Sequence, residues 1–140
     1  MLVRLIYASR STGPIIDQVV QDLLVTSQDN NSDAGITGVL CVCDGHIFMQ
    51  LLEGGRDEVN RLYSRVIHDT RHTDVTLLEY SEIAERGFTN WRMGRVDLNR
   101  VNAGMLLKYS EKPRLDPFQL PGRVAIAVLQ DLMAAALIVG

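Results

Sequence analysis

The chain has 140 residues, of which 46% are hydrophobic and 22% charged, with a net charge of −3 and a pI of about 5.5. That length fits one domain with a small appendage, and the composition is that of a soluble globular protein. The acidic balance argues against a nucleic-acid surface, and the apolar tail at 132–139 falls well short of the roughly 20 residues of a membrane span.

Residues 2–8 are apolar and rich in β-formers, which predicts a first strand. Ser11, Thr12, Gly13 and Pro14 supply a helix start, with capping residues ahead of a first-turn proline. Ile15, Ile16, Val19, Val20, Leu23 and Leu24 then recur at helical spacing, opposite Asp17, Gln18, Gln21 and Asp22. The polar stretch 27–33 ends that amphipathic helix. Residues 36–43 read as a second strand, Asp44-Gly45 as a two-residue hairpin turn and 46–53 as the return strand. Cys41 and Cys43 lie two apart on the second strand with parallel Cβ vectors. That geometry disfavours a disulfide and predicts buried thiols in a reducing compartment.

Gly54-Gly55 breaks the chain, and Val59, Leu62, Tyr63, Val66 and Ile67 mark a second amphipathic helix. Residues 75–80 read as a fourth strand and 91–96 as a fifth. Residues 101–108 predict a short helix and 111–121, with three prolines, a linker. Val124, Ile126, Val128, Leu129, Leu132, Met133 and Leu137 then form an apolar helix whose first turn takes Pro121. Residues 1–7 show no charged-then-apolar signal layout, so the expectation is a soluble, cytoplasmic chain.

The order β-α-β-β-α-β plus one strand predicts an α+β, ferredoxin-like sheet with both helices on one face. Strands one and three are then expected as central, parallel neighbours. On the third strand Phe48 and Leu52 face one way and Ile47, Met49 and Leu51 the other. A strand apolar on both sides belongs to a sheet covered on both sides, and the tail helix is the candidate for the second cover.

Some residues do not suit a plain core. Gln50 interrupts that apolar strand on the face of Phe48 and Leu52, and Tyr7 faces the same way as Val3 and Leu5. A buried amide needs partners, so Tyr7 and Gln50 are either an internal pair that fixes strand register or part of a site. Asn31, beside Asn30, is either a helix-end residue or an amide aimed between the helices. Asp69, Arg71 and His72 follow the second helix, where a solvated helix end is the plain alternative. His68 and His72 have the spacing of a helical metal pair, but no third ligand accompanies them, and no metal is expected. Trp91 and Met93 share a face if their segment is a strand, and ordinary core is the competing reading. There is no glycine-rich phosphate loop and no persuasive nucleophile–base layout.

The segments LIYASR with Tyr7, SQDNN with Asn31, GITGVL, FMQLLEG with Gln50, HDTRH and NWRM with Trp91 and Met93 occur in that order. Together they resemble the BLUF family of blue-light sensors over residues 1–97, leaving 98–140 as a helical extension that packs on the sheet. The resemblance implies FAD, or alternatively FMN, with its ring between the two amphipathic helices. It implies Tyr7 and Gln50 as the photoactive pair and Asn31 as a hydrogen-bond partner of the ring's polar edge. Arg71, His72 and Asp69 would line the flavin, and Asn30 stands where some relatives carry His. Trp91 and Met93 would relay the signal through the fifth strand and the tail to a downstream protein or into a homodimer. The implied protein is a sensor and not an enzyme. Two rivals remain: a small phosphatase using Arg10 and Asn31, and an interaction module in which Gln50 merely bonds Tyr7.

Overall fold

The computed structural model describes residues 1–14, 18 and 34–140. Apart from Gln18, the helix expected from Ile15 to Leu24, and Asn30 and Asn31 beyond it, lie outside the described residues. Five strands form one sheet: β1 (Leu2–Ser11), β2 (Thr37–Asp44), β3 (Ile47–Gly55), β4 (His72–Ile83) and β5 (Gly94–Asp97). Their order across the sheet is β4-β1-β3-β2-β5. Helix α1 spans Arg56–His68, α2 Ala103–Leu107 and α3 Gly122–Ala134, with single 3-10 turns at Leu98–Arg100 and Pro117–Gln119.

β1 and β3 are central neighbours as expected, but they run antiparallel. The reason is the hairpin. β3 turns straight back from β2 and slots between β2 and β1, so it opposes both. The turn itself sits one residue later than predicted. Asp44 still pairs with Ile47, and its side chain accepts the His46 N–H at 2.7 Å, holding a Gly45-His46 loop. Farther from the turn on β2, a Cβ on Gly38 would stand 1.9 Å from the Leu51 carbonyl oxygen, so glycine alone permits that close approach.

β3 is buried on both faces, as its sequence predicts. Phe48 and Leu52 join Val3, Leu5, Tyr7 and the α1 residues Val59, Leu62 and Val66 in one layer. Ile47, Met49 and Leu51 join Val128, Leu129 and Leu132 of α3 in the other, so the tail does cover the second face. Cys41 and Cys43 are free and buried in that second layer, and burial pushes the Cys41 thiol up to about 12.

α3 ends three residues before Leu137. Ala136 takes a left-handed φ of 57°, and the amides of Ala136 and Leu137 return to the Met133 and Leu132 carbonyls, both at 3.0 Å. This is a Schellman cap with alanine where glycine is usual. The chain then lays Val139 against β5, exchanging two backbone hydrogen bonds with Arg95 at 2.7 and 3.0 Å.

The loop between β4 and β5 is held from β3. Glu53 is fully buried, and its carboxylate accepts from Arg4 Nε at 2.9 Å, Gly87 N–H at 2.9 Å and Phe88 N–H at 2.7 Å. Phe88 is itself fully buried in the α3 layer.

Candidate functional site

Antiparallel pairing places Tyr7 and Gln50 directly opposite each other on β1 and β3, with both side chains in the α1 layer. Both are almost wholly buried. The Tyr7 hydroxyl donates to Gln50 Oε1 at 2.5 Å. The other end of the amide donates from Nε2 to the Met93 sulfur at 3.3 Å. Burial first, and the Asp69 charge second, hold the Tyr7 hydroxyl well above the usual phenol range. Tyr7 therefore keeps its proton at any working pH and presents it to an acceptor.

Aromatic rings surround this pair. Tyr63 of α1 lies 5.6 Å from the Tyr7 ring, and His72 meets Phe48 edge-on at 5.5 Å. His72 opens β4, not the end of α1, which undoes the helical spacing with His68. Its Nδ1 shares a 2.8 Å hydrogen bond with the buried hydroxyl of Ser9. Burial lowers the His72 pKa, opposed by Asp69 and assisted by Arg71. Asp69 caps α1 and takes a two-pronged grip from Arg71, with Nε at 3.0 Å and Nη2 at 2.6 Å. That pairing holds the Asp69 carboxyl below the usual carboxylate range. No cluster of three His, Cys, Asp or Glu side chains suited to a metal exists among the described residues.

Trp91 and Met93 do not share a face. β5 begins only at Gly94, so both lie in the preceding loop, where strand alternation does not apply. Met93 is buried beside Tyr7 and Phe48, whereas Trp91 packs against the α3 layer. There it fills the space above Gly94, where a Cβ would stand 2.9 Å from the indole. Met93 is thus the residue of the two that reaches the amide.

Arg10 sits apart from this cluster. It pairs with Asp74 at 3.3 Å and stacks 4.5 Å over Phe118 of the tail. Two buried polar residues escaped the sequence reading, Ser9 and Glu53. Ser9 follows Tyr7 at the alternation of a strand, which is the one local signal it carried. No described helix is long and apolar enough to cross a membrane.

A family model described as "BLUF: Sensors of blue-light using FAD" matches residues 2–94. The chain is 37% identical over 93 residues to the "Photoactivated adenylate cyclase subunit beta-like protein FB" of Euglena gracilis, covering 66% of this chain and 11% of that protein. It therefore spans about a tenth of that relative's length. Among solved structures, "BlsA photo-activated state" superposes with a TM-score of 0.85 at 32% identity, covering 95% of both chains. "BlrB - a BLUF protein, dark state structure" superposes with a TM-score of 0.75 at 30% identity, covering 97% of both.

Proposed function

Because this chain belongs to the BLUF family of blue-light sensors that bind FAD, we propose that its response to light is a rearrangement of the Gln50 amide triggered at Tyr7. The observation that carries this reading is the buried 2.5 Å hydrogen bond from Tyr7 to Gln50, closed on its far side by Met93.

The described residues fit the family's cofactor. A planar ring with a polar edge wants aromatic walls and hydrogen-bond donors, and Tyr7, Tyr63, His72 and Phe48 supply the walls. Gln50 has two amide N–H donors, of which Met93 takes one, leaving the second for a ring acceptor. Arg71 and His72 stand at the same mouth of the sheet, with Asp69 orienting Arg71. We assign these three, with Asn31 and Asn30, to the lining of the flavin. When bound, FAD supplies a ring that absorbs blue light and then accepts an electron.

Tyr7 is the electron donor of the pair. A phenol that has lost an electron becomes a strong acid, and its nearest acceptor is Gln50 Oε1. Gln50 cannot keep its resting contacts once that proton has moved. The amide rotates, exchanging its donor and acceptor ends, or shifts one proton from Nε2 to Oε1 to become the imidic tautomer; the electron and a proton then return to Tyr7, and either form of Gln50 would present a new donor to the ring edge. A stronger hydrogen bond from Gln50 to the bound ring would move its absorption to the red. Two hydrogen-bond arrangements, biased by light, make the switch.

Met93 leads into β5, and Trp91 of the same loop contacts the tail, so the rearranged amide acts on both. On this reading, 1–97 is the sensing unit and 98–140 the output, read by a partner protein or by a second copy. The chain acts as a photosensory protein and not as an enzyme. The phosphatase alternative has no support from Arg10, which is engaged with Asp74 and Phe118. The test is an absorption spectrum of the purified protein before and after blue light. The flavin band should shift to the red and relax in the dark. Gln50→Leu should retain flavin and show no shift; a normal shift in that variant would overturn the assignment.

A further inference from the structure

Resting on the Gln50 switch proposed above, we propose that Glu53 is a positioning residue for that switch, acting through the β4–β5 loop to set the contact between Met93 and the Gln50 amide. Gln50 and Glu53 lie on the same strand but face opposite layers, so Glu53 touches neither the amide nor the ring site. Its reach is indirect. A fully buried carboxylate is costly unless every lone pair is matched, and here the matching groups come from two places. Arg4 of β1 supplies the counter-charge, at 2.8 Å through Nη2. The backbone N–H groups of Gly87 and Phe88 supply the rest.

The two loop amides are what a merely structural ion pair would not need. They fix the loop to β3 at the point where Phe88 enters the α3 layer. From that anchor the chain crosses to the other layer, and Met93 delivers its sulfur to Gln50 Nε2 at 3.3 Å. Arg86 adds a second tie, donating to Thr37 Oγ1 at 3.1 Å and to the Glu53 carbonyl at 3.3 Å. Gly87 is fitted to the arrangement, since a Cβ there would stand 3.1 Å from Arg4 Nη2. Both partners of the switch contact are therefore referenced to one strand: Gln50 belongs to β3, and Met93 is tied to it through Glu53. Loosening the tie removes a contact that favours the resting amide orientation and leaves the rearranged one untouched.

The test uses the full, FAD-loaded chain. Glu53→Gln keeps the shape but replaces an acceptor oxygen with an N–H₂ that must face donors. Dark recovery after a blue flash should slow roughly three- to tenfold, the range set by one modest hydrogen bond. In a Met93→Leu background, which has no sulfur to position, the same substitution should leave recovery unchanged. Equal slowing in both backgrounds, or none in folded, flavin-bound Glu53→Gln, overturns the proposal. Should Glu53→Gln fail to fold, Gly87→Ala pushes the guanidinium off the carboxylate more gently and should act in the same direction. A dark reading is independent of the photocycle: the Gln50 side-chain amide and Met93 methyl NMR signals should move together in either variant. Immobile signals count against Glu53 even where light works normally. Signals that move in a chain showing no red shift remove the photoswitch and leave the loop's hold on Met93 standing.

Discussion

At the scale of single residues, the two ends of the Gln50 amide are not equivalent. Oε1 faces a hydroxyl donor and Nε2 faces a sulfur acceptor. Turning the amide over would set Oε1 against sulfur and Nε2 against the Tyr7 proton, so the resting orientation is chosen by its two partners together. Tyr7→Phe should therefore abolish the ordinary photocycle, read as loss of the light-induced red shift in a chain that still binds flavin. It should also lower stability by about 1–3 kcal/mol, the cost of a buried carbonyl left without its donor, as measured by denaturant unfolding. His72 gives a pH signature. Its pKa lies below the ordinary 6.5 in the folded protein, so the unfolded chain takes up the proton first as pH falls. The stability it contributes is intact above that value and lost below it. The melting temperature should drop as pH falls below about 6.5, and His72→Gln should flatten that slope. Tyr7 and Gln50 were legible in the sequence because each is a polar intruder on the apolar side of a strand. Ser9 and Glu53 were not, because Ser9 lies just past the strand read at 2–8 and Glu53 ends the strand read at 46–53, where a polar residue is ordinary; only their packed partners, His72 and the 87–88 amides, show that these ends are buried.

At the scale of elements, composition and alternation placed all five strands, while direction and edges needed the packed molecule. The β2–β3 hairpin was plain from its turn residues, yet the antiparallel sense of β1 and β3 follows from where that hairpin inserts. The fifth strand starts later than its pattern implies, because Trp91 and Met93 carry strand-like patterning without strand pairing. The α3 terminus supplies a sharp test. Ala136 holds a left-handed backbone that glycine adopts freely, and its side chain makes no demand of the cap. Ala136→Gly should stabilise the protein by about 1 kcal/mol in chemical unfolding, since the left-handed penalty for an L-residue is of that order. Gly38→Ala should do the reverse. Its Cβ would meet backbone that cannot step aside, and the β2–β3 ladder would have to part. Loss of soluble folded protein, or a fall in midpoint far beyond that of Gly45→Ala, is the expected result. A methyl added at Gly45 would meet nothing within 4 Å, which makes that position the control.

At the scale of the whole molecule, the sheet is a partition between the α1 layer, which holds Tyr7, and the α3 layer built by the tail. Phe88 and Trp91 stand on one side of it and Met93 on the other, so one loop belongs to both. The tail layer contributes to stability. Leu129 is fully buried against the sheet, and Leu129→Ala should cost about 2–5 kcal/mol of unfolding free energy. The two borders of the sheet differ in kind. Beside β5, Val139 already occupies the backbone groups of Arg95. Beside β4, no described strand pairs with the long outer rim, where Leu77 and Tyr80 stand half out in water. Among the described residues, the β4 rim is therefore the longer flank open to a foreign strand. If two such rims join about a twofold axis, each molecule turns its sealed flank outward, and the ribbon stops at a pair instead of lengthening into a fibre.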